Sequence, residues 1–350
     1  MMNQYPQYTE YNDLVATQMA AQAEKQERKR QQKSMRRDAS RISLAVVAAL
    51  PLSSILSALA GIFLALCGVN LAATVGGING MPAHLYYLLS SMMTFLTIAL
   101  PFMLFILAGG RRLEDSILVE KTGVLNGLLL AFAGLLICLL MNIPANLLSG
   151  LFEDAGLNGA SNTAGMSADS LIELLCLGFS VVLVAPVAEE FAFRGVTVAV
   201  MRRWGDWPAV FFSAVIFALA HYSFQSLPVV FTGGFIMALL YVLTRNIWVN
   251  ILVHFLNNLI AVLPIIVGYF AGEEAANLVN EYSMPVVMVL GVIAIIILAA
   301  RHFTEKHRLS FHFEKGEAVR KKVLWLFCNP GFIVYFIVFI VMALRSLYAV

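Results

Sequence analysis

Residues 171–193 read LIELLCLGFSVVLVAPVAEEFAF, an apolar run that ends on two adjacent glutamates, Glu189 and Glu190. At about 1.5 Å per residue such a run crosses the roughly 30 Å hydrocarbon core of a bilayer. The rest of the chain has the same character. It is 60% hydrophobic and only 13% charged, with a mean hydropathy of +0.82. One soluble core could not hide that much apolar surface. Runs able to span lie near Ile42–Val69, Leu85–Leu107, Val124–Leu148, Leu171–Phe193, Pro208–His221, Leu227–Leu243, Trp248–Phe270, Met284–Ala300 and Val323–Leu344. The Pro208 run is short and Asn329-Pro330 interrupts the one after residue 322. The expected fold is therefore an all-α polytopic transmembrane helix bundle of eight or nine spans.

Working outward from this body, the composition shifts once, near Ile42. The polar head before it, residues 1–41, is expected to be a disordered cytoplasmic tail. It does not read as a secretory signal, because a long polar stretch precedes the first apolar run. The division that follows is 1–41 tail, 42–170 first spans, 171–263 a core that carries the ionisable residues, and 264–350 the remaining spans. The tail holds Lys25, Arg28, Lys29, Arg30, Lys33, Arg36, Arg37 and Arg41 just before the first span, which places it in the cytosol. Nine spans then put Arg111, Arg112, Arg202, Arg203, Arg245 and the Arg301–Lys322 loop on the cytosolic side. Acidic Glu153, Asp154, Glu273, Glu274 and Glu281 fall outside.

Charge and cysteine usage exclude several classes. With 23 Lys plus Arg against 21 Asp plus Glu, the formal net charge of +2 suggests no nucleic-acid partner. The basic tail can touch anionic lipid, although retention of topology explains it equally well. Cys67, Cys138, Cys176 and Cys328 stand singly in apolar stretches, without zinc or disulfide spacing.

Chemistry is to be sought among ionisable residues inside the spans, which are costly in hydrocarbon unless paired or facing a polar cavity. Glu190 and Arg194 are four apart and share a helix face, so they can pair. Glu189 points about 100° away and stays free to look into the bundle as a general base; the bland alternative is an interfacial ion cluster. His221 is one titratable group in an otherwise apolar stretch, and a buried His is often only a satisfied core residue. Asn250, His254 and Asn258 form a polar stripe at intervals of four, which can equally bind helices together. Taken together, a carboxylate, two imidazoles and a carboxamide are what peptide hydrolysis needs. Glu and His can deprotonate and aim a water, and His and Asn can donate to the developing oxyanion.

Three blocks at these positions resemble the CAAX prenyl endopeptidase and bacteriocin-processing (CPBP, or Abi) family of intramembrane proteases. Glu189-Glu190-Phe191-Ala192-Phe193-Arg194 matches E-E-x-x-x-R, Phe217-Ala218-Leu219-Ala220-His221 matches F-x-x-x-H, and His254-Phe255-Leu256-Asn257-Asn258 matches H-x-x-x-N. They occur in order on successive apolar segments, over roughly Leu171 to Leu263. The resemblance implies a membrane endopeptidase in which Glu189 and His221 activate water, His254 and Asn258 form the oxyanion hole, and Glu190 with Arg194 shape the site. Its expected substrate is a membrane-associated peptide or protein, reached from the membrane or the cytosolic side of a bacterial cell membrane.

Members of the family have been catalogued as metalloproteases, and Glu189, His221 and His254 are the donor types of a catalytic zinc site. No two of them share a helix in an H-E-x-x-H arrangement, so a glutamate-based site without a metal is the favoured expectation. The competing functions are a transporter or proton relay, or a non-catalytic membrane scaffold or immunity protein. One geometric difficulty is explicit in the span boundaries. His221 lies about 20 Å along its run, whereas Glu189 sits near the cytosolic end of a span that stops at Phe193.

Overall fold

The computed structural model describes residues 6–68, 72–74, 77–79, 81–110, 117–157, 166–304 and 317–347, so the expected cytosolic Arg111 and Arg112 lie outside the described residues. The chain folds as an all-helical polytopic bundle: α1 (Pro6–Leu66), α2 (Ala83–Ala108), α3 (Val124–Asp154), α4 (Leu171–Trp204), α5 (Asp206–Leu219), α6 (Leu227–Thr244), α7 (Ile247–Ala271), α8 (Glu273–Thr304), α9 (Glu317–Phe327) and α10 (Pro330–Leu347). A small antiparallel hairpin, β1 (Ala72–Thr74) and β2 (Gly77–Asn79), follows α1. Outward-facing Ile55, Phe63, Leu125, Leu147, Ile296 and Ile337 are exposed, as lipid-facing residues must be.

Where a disordered tail was expected, α1 instead begins at Pro6 and runs unbroken into the membrane segment. Polarity is not disorder here: the stretch is rich in Ala, Gln, Glu, Lys and Arg, all strong helix formers. Arg28 donates to Glu24 at 2.6 Å and Gln31 to Glu27 at 3.2 Å, each across one helical turn.

Among the described residues, eight helices are long and apolar enough to span. The ninth segment, α5, has 14 residues, about 21 Å, and falls short of a full crossing. Its ends are nonetheless anchored at opposite ends of the bundle. At one, Arg202 Nε donates to Asp206 Oδ1 at 2.8 Å, and Arg203 pairs with Asp38 of α1. Beyond the other, Gln225 Nε2 donates to Glu153 Oε2 at 3.2 Å. The turn after α5 thus completes what the helix is too short to do.

The main correction to the expected boundaries concerns α4. It does not stop at Phe193 but continues to Trp204, turning into α5 at Gly205, whose φ of +122° requires glycine. In sequence, a charge at the end of an apolar run marks an interface, which is why the span is expected to stop before Arg194. In the fold it is fully buried against its own partners. Glu189 therefore lies fifteen residues before the α4–α5 turn and His221 about as far after it. Both stand some 20 Å from the Arg202–Arg203 end, at matching depth, which removes the geometric difficulty.

Local chemistry sets the start of each site helix. Ser170 caps α4 by accepting from Glu173 N–H at 3.3 Å, while Glu173 Oε2 accepts from Asp169 N–H at 2.8 Å. Asn246 caps α7 through Oδ1, which accepts from Trp248 N–H at 2.9 Å. Its amide also donates to Glu120 O at 2.7 Å, tying this end to the strand-like loop before α3. The Asn329-Pro330 break divides α9 from α10, with Asn329 Oδ1 accepting from Phe332 N–H at 2.9 Å.

Candidate active site

α4 changes winding twice around the glutamates: Phe179–Val184 and Phe191–Val198 are π-helical, and Ala185–Glu190 between them is α-helical. Thr197 Oγ1 donates to the carbonyl five residues back, Ala192, at 3.0 Å. Such wide turns concentrate at functional positions.

Glu190 is the centre of a closed polar cluster. Its Oε1 accepts from Arg194 Nη1 and from His254 Nδ1, both at 2.9 Å, and its Oε2 accepts from Asn250 Nδ2 at 3.4 Å. Arg194 also donates from Nη2 to Gly234 O at 3.1 Å and lies over the Phe217 ring, 4.5 Å from its centroid. Asn250 Nδ2 donates to Met237 O at 2.6 Å. Glu190, Arg194 and Asn250 are wholly buried. A buried ion pair survives in such a setting only when hydrogen bonds offset its desolvation; α6 and α7 supply several, while Arg194 Nε and Asn250 Oδ1 are buried without a hydrogen-bond partner.

Glu189 has a different environment. Its side chain keeps 17% exposure, and Oε2 lies 3.8 Å from His254 Nε2. Together with His221 it lines a cavity of about 260 Å³ whose other walls are Val46, Ala49, Leu50 and Ser53 of α1, Thr97, Ile98 and Phe102 of α2, Phe193, Ala220 and Tyr222. Tyr222 follows His221 in the left-handed region at φ +50°, uncommon for a bulky residue and a mark of a constrained turn.

The two imidazoles have defined tautomers. A backbone carbonyl can only accept, so the 3.0 Å contact between His221 Nδ1 and Phe217 O puts the proton on Nδ1. His254 likewise gives its Nδ1–H to Glu190. In each neutral ring Nε2 is left as an acceptor.

The sequence-derived residues are thus brought together unequally. Glu190, Arg194 and His254 touch directly, Glu189 faces His254, and His221 shares a cavity with Glu189. Asn258 does not line that cavity: its Nδ2 donates to Val181 O at 2.9 Å, bolting α7 to α4 two turns before the glutamates. Asn250, read as possible glue, is a direct partner of Glu190. The α1 and α2 walls went unnoticed because an apolar stripe facing a cavity is indistinguishable in sequence from one facing lipid. For zinc, Glu189, His221 and His254 would have to converge. Among the described residues no group of three His, Cys, Asp or Glu does so, so the donor set is not assembled to fit the metal.

Comparison with known proteins gives a resemblance over the segment that carries this site. Residues 171–260 match the family described as type II CAAX prenyl endopeptidase, Rce1-like. The chain is also similar to the membrane-embedded CAAX protease MroQ of Staphylococcus aureus (strain USA300), 36% identical over 117 residues, covering 31% of this chain and 47% of that protein. No solved structure matches. The matched segment holds all three motif blocks and every member of the Glu190 cluster, and over it the chain is similar to the Rce1-like CAAX prenyl endopeptidases, while it spans about half the length of the curated relative it matches.

Proposed function

We propose that the chain is an intramembrane endopeptidase that cuts membrane-associated peptides or proteins, with water activated by Glu189 and His221. The observation that carries this reading is the cavity that both side chains line, its other walls mostly apolar, with Glu189 also 3.8 Å from His254 of the Glu190 cluster. His221 presents the Nε2 lone pair and can accept a hydrogen bond from the water. Glu189 takes the water's proton as its oxygen attacks the scissile carbonyl carbon. That proton then passes to the leaving nitrogen as the C–N bond breaks, which restores Glu189.

The oxyanion needs a donor, and in this reading His254 supplies it from Nε2. Because Nδ1–H is committed to Glu190, that donation requires the doubly protonated ring. Glu190 at 2.9 Å and Glu189 at 3.8 Å are the anions that compensate such a cation. Arg194 and Asn250 position Glu190, and Asn258 acts by holding α7 on α4. No step is routed through a metal.

The N-terminal end of α1 is proposed to be cytosolic, with the Asp38–Arg203 and Glu120–Arg245 pairs at that face. An external thiol reagent should then label a cysteine placed at Glu274 but not one at Lys321; the reverse pattern would invert the orientation. The test of function compares peptide termini in membranes holding wild type and Glu189→Gln. Termini that vanish in the variant, and persist when a zinc chelator is added to wild type, support the reading; identical termini in the two membranes refute it.

A further inference from the structure

Half of the catalytic cavity is built by residues outside the matched segment. Val46, Ala49, Leu50 and Ser53 follow one another at i, i+3, i+4 and i+7, a single stripe along α1 that faces Glu189 and His221 across the cavity. Thr97, Ile98 and Phe102 of α2 stand beside them. The stripe alternates in size. Ala49 and Ser53 leave space, whereas Val46, Leu50, Ile98 and Phe102 bound it with apolar surface. Thr97 spends its hydroxyl on Met93 O at 2.7 Å, so this side of the cavity offers little to a polar side chain.

The volume limits what can enter. An apolar cavity of roughly 150 Å³ holds a benzene ring, and drug-sized ligands need about 300–1,000 Å³. At about 260 Å³ there is room for one large apolar side chain with its own peptide unit, and none for a helical turn, which with side chains is about 10 Å across. A bound peptide must be locally unwound.

We infer that the α1 stripe is the subsite selecting a single large apolar side chain, such as Leu or Phe, next to the scissile bond, with Ala49 setting its depth and Leu50 its width. The inference rests on the proposed endopeptidase activity. It extends that reading by making α1, rather than the motif-bearing helices, the determinant of which bond is cut. The physics is that of a hydrophobic slot: one methylene more or less changes selection by about 10- to 200-fold. A side chain added at Ala49 takes space directly from the substrate.

The test uses purified full-length protein in liposomes with a library of membrane-spanning peptides randomised at five central positions, the cut sites being read by mass spectrometry. Wild type should favour Leu or Phe over Ala at one position beside the cut. Ala49→Phe should lower that large-to-small ratio at least tenfold. Leu50→Ala should move it the other way and admit Trp. Since the readout is a ratio within one sample, a general loss of folded enzyme cancels, and the two variants oppose each other. A wild-type preference that neither variant changes, or no preference at all, overturns the α1 subsite while leaving the protease reading intact. No cutting by wild type beyond that of Glu189→Gln overturns both.

Discussion

The pair α4 and α7 and the pair α1 and α10 use the membrane in opposite ways. In the first, Glu190, Arg194, Asn250 and His254 are drawn inside and hydrogen-bonded through Glu190, so polar contacts fix the arrangement. In the second, the contacts are steric and apolar. Gly331 sits so close to α1 that a Cβ there would clash with Ser40 O, and a hydrogen bond across the seam runs from Gly331 N–H to Ser40 Oγ at 3.0 Å. The difference teaches where specificity and chemistry reside. A polar cluster tolerates almost no substitution and keeps reacting groups in register, whereas an apolar seam can change residue by residue and reshape a wall.

That contrast can be broken most severely at the glutamates. Glu189→Gln keeps the shape of the side chain but cannot take a proton, so cleavage should fall by about 10²- to 10⁴-fold while the melting temperature stays close to wild type. Glu190→Gln orphans the buried Arg194, a loss of about 3–5 kcal/mol, and thermal unfolding in detergent should show it together with lost activity. Adding Arg194→Met should return part of the stability because the unpaired cation is gone. If Glu189→Gln is instead the variant that melts early, the two roles are exchanged.

At the apolar seam the expected effect is smaller. Gly331→Ala forces α10 away from α1 and should cost about 1–3 kcal/mol, as overpacking does. The loss should be visible as a lower melting temperature with the Glu190 cluster intact. A stability equal to wild type would mean the seam yields freely. The smallest change is at the start of α4: Ser170→Ala removes the cap on Glu173 N–H and should cost about 1 kcal/mol, with cleavage by folded enzyme unchanged. A loss of activity per folded molecule would show that the cap also sets the pitch of the π-helical turns below it.

Hydropathy alone revealed the spans and the i, i+4 spacing revealed the Glu190–Arg194 pair, because both follow from helix period and from the cost of charge in hydrocarbon. Other features depend on what lies opposite a residue. Arg194 looked like the end of α4 because the groups that enclose it, Gly234 O and the Phe217 ring, come from other helices, and Asn250 looked like glue because Glu190 is 60 residues away in sequence. The polar head, residues 1–41, reads as disordered when polarity is weighed above helix propensity. The α1 stripe was illegible for a simpler reason: Val, Ala, Leu and Ser carry no mark that separates a cavity wall from a lipid-facing surface.

The contact between Ser40 and Gly331 joins residues 291 apart in the chain, and that separation has a temporal meaning. At about 5–20 residues per second of synthesis, α1 is made roughly 15–60 s before the helix that clasps it. Through that interval α1 rests mainly on α2 and the end of α4, so the wall opposite Glu189 and His221 takes its final position late. A nascent chain whose polar cluster has already formed still lacks a fixed slot for substrate. On the proposed function, the slot opposite Glu189 and His221 is thereby fixed only after α10 has been made.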